Sequence, residues 1–541
     1  MLPPPPIRGI FRTDPRARAA YAEGAGIFRI LPSAVCVPQD REDVASLAHW
    51  ASAHRVALVP RGAGSAMGGG NVGDGVIVDL TGLPARVEVD AGARRARAGA
   101  SVTLADLNRA ADPAGLRLPP DPSSGRWATL GGMLSTNAAG ARTVRYGSVR
   151  RWVESAELVT ADGEVTELRR GQPPAGRTLA IDRFETEAAP AIRAGAEWVR
   201  ARFPRTRKNA SGYALDAWLE TGDLLDLVIG AEGTLGIVTS AVWRLDPVPA
   251  ARAGLRVRLR TLDALADAVE SLLLHQPSAV ELLDRTFLEL VGEAGPEAVL
   301  LVEIERDDPA SAREAVERAA AAVAPWAASV DPGFTPAATE RLWALRHAAS
   351  PILAGLPETR RSLQVIEDGC VPVERMGDYV RAVREAAAER GLAVVIFGHA
   401  GDGHIHVNLL PEIGRAGWED SVASLLEAVT DALVRLGGTP SGEHGDGRLR
   451  AGLLARVYGD EVMALFTRAK RAFDPLGILN PGIILPGADG AAAGRPIRRL
   501  KVGEHAVALP DDIARGLRRI EQYGGYAQHR LELADGTTSH P

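Results

Sequence analysis

The run Pro60-Arg-Gly-Ala-Gly-Ser-Ala-Met-Gly-Gly-Gly70 constrains this chain more than any other segment. The apolar stretches around it, residues 56–59 before and 75–80 after, read as strands. A glycine loop between two strands lets several backbone N–H groups converge on a pyrophosphate, because no side chain holds the phosphates away. It is not the fingerprint of a βαβ dinucleotide fold. Met67 stands where the third glycine of G-x-G-x-x-G belongs, and the following element is a strand, so NAD bound in a βαβ unit is disfavoured. A loop of this kind can also be no more than a turn.

Two later glycine-rich segments carry metal-binding side chains: Phe397-Gly-His-Ala-Gly-Asp-Gly-His-Ile-His-Val-Asn408 and Ser441-Gly-Glu-His-Gly-Asp-Gly447. Residues 393–397 read as a buried strand ending at His399, and Asp402-Gly403 as a hairpin turn into a second strand. Alternation along that strand puts His404, His406 and Asn408 on one face and Ile405, Val407 and Leu409 on the other. A histidine ending one strand, a histidine on its neighbour and Glu443 from a distant loop make an N,N,O set. On zinc or a similar ion such a set leaves positions open for substrate. A His-x-His on a strand, taken alone, is more often a polar sheet face than a ligand pair.

At 541 residues the chain exceeds what one hydrophobic core supports, so two or three domains are expected. Apolar residues make up 46% and charged residues 24%, as in folded globular proteins. A net charge of -6 gives no electrostatic case for nucleic acid. Lysine is scarce, with Lys208, Lys470 and Lys501 set against many arginines, which is as plausibly a coding bias as a functional choice. Cys36 and Cys370 cannot ligate a four-cysteine iron–sulfur cluster and do not suggest a disulfide scaffold. No apolar run reaches the length of a membrane span and no signal-peptide pattern opens the chain, so a cytoplasmic protein, or one peripheral at a membrane, is expected.

Four more segments fall in a telling order: Pro119-Pro-Asp-Pro-Ser-Ser124 with Thr129-Leu-Gly-Gly-Met-Leu-Ser-Thr-Asn-Ala-Ala-Gly140, Arg145-Tyr-Gly-Ser-Val149, Ile229-Gly-Ala-Glu-Gly-Thr-Leu-Gly-Ile-Val238, and Phe473-Asp-Pro-Leu-Gly-Ile-Leu-Asn-Pro-Gly482. With the segments above, from about residue 31 to 482, they resemble the FAD-linked D-2-hydroxy acid dehydrogenases of the vanillyl-alcohol oxidase superfamily. The resemblance implies an α+β fold: a PCMH-type FAD-binding domain of two subdomains, and an α+β cap with an antiparallel sheet and C-terminal helices. It divides the chain into an N-terminal segment (1–30), the FAD-binding domain (31–247), the cap (248–440), a C-terminal metal and base segment with helices (441–485), and a linker and tail (486–541). Within the tail, residues 487–495 read as linker and 511–523 as a helix.

The resemblance also implies roles. FAD contacts fall on Arg61, Gly62, Ala63, Gly64, Ser65, Pro120, Asp121, Thr129, Gly131, Gly132, Ser135, Asn137, Gly140, Tyr146, Glu232, Gly236, Ile237 and Asn480. No histidine lies within residues 61–80, so FAD is expected to be noncovalent. A divalent metal, zinc or manganese, falls to His399, His406 and Glu443, with Arg346 binding the substrate carboxylate, Asn408 orienting the substrate and His444 acting as base. Relatives acting on D-2-hydroxyglutarate carry a lysine where this chain reads Val365-Ile-Glu-Asp-Gly-Cys-Val-Pro372, which favours a monocarboxylate such as D-lactate or glycolate. Electrons are expected to pass to an external acceptor: an iron–sulfur subunit, an electron-transferring flavoprotein or a quinone-linked partner; a homodimer is compatible with all three. Two other readings are a noncatalytic FAD-binding subunit, which has no need of the metal and base segments, and a zinc hydrolase, which lacks H-E-x-x-H and G-x-S-x-G and leaves the flavin segments unexplained.

Overall fold

The structure, a computed structural model, describes residues 3–293, 295–487, 497, 499–524, 526 and 530–537. Most of the linker expected at 487–495 lies outside the described residues. The first sheet has four strands in the order Ile10–Arg12, Ala34–Val37, Val76–Asp79, Leu58–Arg61, the last three parallel. Every residue of Val76–Asp79 is buried, as a parallel strand covered on both faces requires. The helix Arg41–His54 packs on one face. Asp40 caps its N-terminus by accepting from the Asp43 N–H, and Arg55 closes it in the left-handed region. The strand expected at 56–59 lies two residues further on, so that Arg61 ends it and the glycine loop begins at Gly62.

The second sheet is antiparallel and five-stranded: Val87–Asp90, Arg95–Gly99, Ile237–Arg244, Val153–Val159, Val165–Arg169. On its second strand Ala96 and Ala98 point into the core and Arg95 and Arg97 point to water, the alternation of a half-buried strand. These two sheets form the half that precedes the cap.

The cap holds one antiparallel sheet of seven strands in the order Ala327–Gly333, Ala251–Leu259, Ala298–Arg306, Ala279–Asp284, Ala393–His399, His404–Leu410, Gly369–Cys370. The helices Leu265–Leu273, Pro309–Val323, Met376–Glu389 and Trp418–Arg435 cover one face. Pro309–Val323 shows why: Asp308 caps it, Pro309 opens it, and Ala312, Ala315, Val316, Ala319 and Val323 recur at helical spacing and are buried. The α+β expectation therefore holds, with one refinement. The other sheet face is not bare: the helix Pro336–Ala354 crosses part of it, and the rest faces the first half of the chain. After the cap, the chain returns through the helix Leu454–Phe473, which packs on residues 180–235. The expected tail helix is present at Asp511–Tyr523.

Candidate active site

Antiparallel pairing sets His399 opposite His404, Phe397 opposite His406 and Val395 opposite Asn408, while Glu281 of the next strand stands opposite His399. Residues directly opposite share a sheet face. The three histidines, Asn408 and Glu281 thus project together, away from the helices. The hairpin loop is wider than the expected two-residue turn: Ala400–Asp402 form a 3₁₀ turn closed by Gly403 at φ 72°. The extra residues place the Asp402 carboxylate in the interior, 3.6 Å from Lys208 Nζ.

The loop 441–447 then brings Glu443 and His444 over this face. His399 Nε2 lies 3.3 Å from Glu443 Oε1 and 3.2 Å from His406 Nε2, and His406 Nε2 lies 3.5 Å from Glu443 Oε1. Ligands about 2.0–2.1 Å from a tetrahedral ion stand about 3.3–3.4 Å apart, so the three atoms are spaced for one. Their far sides are fixed as metal ligands require. His399 Nδ1 is 2.5 Å from Glu281 Oε1, and His406 Nδ1 is 2.7 Å from the Glu367 carbonyl, to which it donates. Burial resists the Glu443 charge, but Lys208 and His399 outweigh it and hold the carboxyl well below its usual range. Burial, then the neighbouring His404 and His399, keeps His406 neutral. Burial would also lower His399, but Glu281 raises it to about 9.

His404 shares the face, with Nδ1 3.9 Å from Glu443 Oε2, but its Nε2 is held 2.8 Å from Asp368 Oδ1. Asp368 also accepts from Ser441 Oγ at 2.6 Å and from the N–H groups of Glu443 and His444 at 3.2 and 2.9 Å. His404 and Asp368 therefore anchor the loop that delivers Glu443. His444 stacks on His406 with ring centroids 5.5 Å apart, and its Nδ1 sits 2.5 Å from Glu367 Oε2. Burial lowers its pKa, but Glu367 and Asp368 more than offset this and hold it near 10. The other Glu367 oxygen accepts from Arg450 at 2.5 Å. Arg346 donates through Nε to Glu281 at 2.9 Å and lies over the Phe397 ring, 4.4 Å from its centroid. Asn408 Oδ1 accepts from Ser362 Oγ at 3.0 Å.

His399, His406, Glu443, His444, Glu281, Glu367, Arg346 and Asn408 open onto one cavity of about 950 Å³ that runs back to the glycine loop. Arg61, Gly62, Ala63, Gly64, Ser65, Asp121, Thr129, Gly131, Gly132, Ser135, Glu232, Gly236 and Ile237 line it, as expected of a flavin site. A Cβ on Gly62 would meet Thr129 Oγ1 at 2.2 Å, and Gly64 holds φ 84°, so neither position accepts a side chain. The backbone N–H groups of Ala63, Gly64 and Ser65 donate to no acceptor among the described residues, and together they form a cradle for an anion. The chain fits the pyrophosphate of FAD.

Five expected flavin contacts do not reach the wall. Tyr146 donates to Glu305 across the boundary with the cap sheet, and Pro120 is buried behind Asp121. Gly140 presses on the Asp121 backbone, where a Cβ would meet its carbonyl at 2.4 Å. Asn137, at φ 50°, accepts from the Arg150 N–H. Asn480, at φ 45°, donates to the carbonyls of Gly70 and Glu232 at 2.8 Å each. These residues shape the wall from behind.

The sequence reading missed Lys208, Glu281, Glu367, Asp368 and Arg450. Lys208 Nζ is fully buried, 2.9 Å from both Glu443 Oε2 and the Gly140 carbonyl. Its signal was available, since a chain with so few lysines keeps one here; the others draw their meaning from partners far along the sequence.

Comparison with known proteins gives the family. Residues 32–169 match the FAD binding domain family and residues 248–484 the C-terminal domain of FAD linked oxidases. The glycolate oxidase subunit GlcD of Bacillus subtilis is 29% identical over 84% of this chain and 89% of its own length. The D-lactate dehydrogenase of Archaeoglobus fulgidus is 31% identical over 83% of this chain and 91% of its own. The D-2-hydroxyglutarate dehydrogenase of Pseudomonas putida is 31% identical over 91% of this chain, which spans 52% of that longer protein. Substrate-bound p-cresol methylhydroxylase shares the fold, with a TM-score of 0.64 at 14% identity over 88% of this chain and 94% of that one. Fold and cradle together define a PCMH-type flavoprotein oxidoreductase. The chain belongs to the FAD-linked D-2-hydroxy acid dehydrogenase family, whose members oxidise 2-hydroxy acids with FAD.

Proposed function

We propose that this protein oxidises a small D-2-hydroxy monocarboxylate, of the size of D-lactate or glycolate, to the 2-oxo acid with the help of a divalent cation, zinc or manganese. The observation that carries the reading is the convergence of His399, His406, Glu443, His444 and Arg346 on one cavity shared with the flavin cradle. Bound FAD supplies a two-electron acceptor for the α-carbon hydride, and the cation, held by His399, His406 and Glu443, supplies a Lewis acid that lowers the pKa of the α-hydroxyl.

The chain's own groups do the rest. Arg346 keeps its outer nitrogens for the substrate carboxylate because Glu281 takes only Nε and Phe397 supports the guanidinium plane. Asn408, steadied by Ser362, orients the substrate. Glu367 holds His444 by Nδ1, so Nε2 is the nitrogen turned to the hydroxyl proton. The pull of Glu367 and Asp368 keeps a proton on His444 near neutral pH in the cation's absence, and a neighbouring divalent charge works against that pull.

Charge on the wall supports a monocarboxylate. Arg142 is already committed to Glu303 through Nε and Nη2 and to Asp121 through Nη1, so it is not spare for a second carboxylate. Ile366, in the segment where relatives carry lysine, is buried in the cap core. Electrons leave to an external acceptor, because the chain has two cysteines and no helix among the described residues is long and apolar enough to cross a membrane. Anaerobic titration of the purified flavoprotein tests the substrate class: D-lactate or glycolate should bleach the flavin, and bleaching by D-2-hydroxyglutarate alone would contradict it.

A further inference from the structure

More positive charge is buried behind the glycine loop than the protein neutralises. Arg61 turns its guanidinium back beneath the loop, where a Cβ on Gly64 would meet Nη2 at 2.3 Å. Its Nη1 donates to the carbonyls of Glu23 and Asn71 at 2.9 and 3.3 Å, and Nη2 has no acceptor among the described residues. Arg361, Lys501 and Arg530 gather at the same place, each no more than 6% exposed. Burial first, then the charge of Arg61, pushes Arg530 down to about 10; burial, then Arg361, pushes Lys501 down to about 7.

Too few carboxylates face them. Glu23 accepts from Arg29, Glu521 accepts from Lys501 and Arg361, the exposed Glu358 accepts from Arg361 at 3.3 Å, and Asp79 accepts from Tyr21 and Thr81. Arg61 and Arg530 hydrogen-bond no carboxylate among the described residues, and Nε and Nη1 of Arg530 have no partner among them at all. Buried guanidinium groups with unused donors require a nearby anion. The N–H cradle of Ala63 to Ser65 lies in the same loop as Arg61, and FAD brings two negative charges to it.

Lys501 and Arg530 belong to the tail, beyond the family match that ends at residue 484. The described residues of the tail are tied to the N-terminal part of the chain. Lys501 N–H donates to the Ile27 carbonyl at 2.9 Å, and Leu500 bridges Phe28. Ile513, Leu517, Ile520, Leu531 and Leu533 pack with Tyr21, Val35, Val59 and Ile77 on the back of the sheet whose strand Leu58–Arg61 carries the loop. Residues 24–26 lie between: a Cβ on Gly26 would meet the Met67 carbonyl at 2.1 Å.

We propose that the C-terminal tail is part of the FAD site: Lys501 and Arg530 stand behind the glycine loop as counter-charge for the cofactor's pyrophosphate, so tail docking and FAD binding reinforce each other. Coupling of this kind is reciprocal. FAD affinity is measured by flavin fluorescence after removal and return of the cofactor, in the full-length protein and in Arg530→Met, Lys501→Met and, as an exposed tail control, Arg515→Met. Arg530→Met and Lys501→Met should each weaken FAD by about tenfold, or about 1.4 kcal/mol, with Arg515→Met unchanged. Riboflavin, which has no phosphate, should bind all four proteins alike. Hydrogen exchange in Asp511–Tyr523 should slow when FAD is added to the wild-type protein. Wild-type FAD affinity in both buried-cation variants, equal losses for FAD and riboflavin, or tail exchange indifferent to FAD would each overturn the proposal.

Discussion

Replacing Lys208 by methionine keeps the apolar stem and removes one charge from a fully buried site. Nζ lies 2.9 Å from Glu443 Oε2 and 3.6 Å from Asp402 Oδ2. Both carboxylates lose a neighbour, but not equally. Burial already pushes Asp402 up to about 6, so it takes a proton and adds little. Glu443, held ionised mainly by Lys208, keeps only the histidines as counter-charge, and removing one member of such a buried pair costs about 3–5 kcal/mol. With an unfolding entropy of about 2.1 cal/mol/K per residue, a chain of 541 residues loses about 3–4 °C in Tm for that sum. A divalent cation between His399, His406 and Glu443 would replace the missing charge, so the loss should shrink in zinc-loaded protein. Calorimetric melting of wild type and Lys208→Met, each with chelator and with zinc, checks this. Equal losses in both states, or none in the chelated one, would refute the reasoning.

Other outcomes follow from the same geometry. Acid precipitation should release all flavin into the supernatant; colour retained on the denatured chain would show a covalent link. Substrate should reduce an artificial dye at least about tenfold faster than it yields peroxide in air, a barrier difference of about 1.4 kcal/mol, and stoichiometric peroxide at equal speed would reveal an oxidase. Burial, then the Asp446 charge, raises Glu232 from 4.5 to about 8. The folded apoprotein holds a proton there that the unfolded chain gives up, so stability should fall between about pH 4.5 and 8 by up to about 1.4 kcal/mol per pH unit. Denaturant melts of Glu232→Gln should show a flatter slope, and parallel curves would exclude this group as the source.

How much of this the sequence disclosed depended on whether a signal is local. Strand alternation placed His404, His406 and Asn408 on one face, and the helix expected at 511–523 is present. Alternation could not separate His404 from His406, because both project the same way; Asp368, which holds His404, lies 36 residues earlier. Glu281 comes from 118 residues before His399, and Lys208 from 235 before Glu443. Such partners depend on which strands become neighbours and which loop folds over them. Tyr146, Asn137 and Asn480 fall among the flavin contacts that the resemblance implies. In the structure both asparagines hold left-handed backbone, Tyr146 pairs with Glu305, and none of the three lines the cavity.

Whether the cation takes part in the chemistry is tested most directly by one anaerobic half-reaction. Oxidised flavoprotein is stripped of metal, its FAD content verified, and mixed with D-lactate or glycolate before and after zinc or manganese is returned. Bleaching should slow by at least about a hundredfold without the ion, about 2.7 kcal/mol of barrier, and recover on reconstitution. Bleaching at an unchanged rate in protein shown by elemental analysis to hold no metal would contradict a catalytic role for His399, His406 and Glu443.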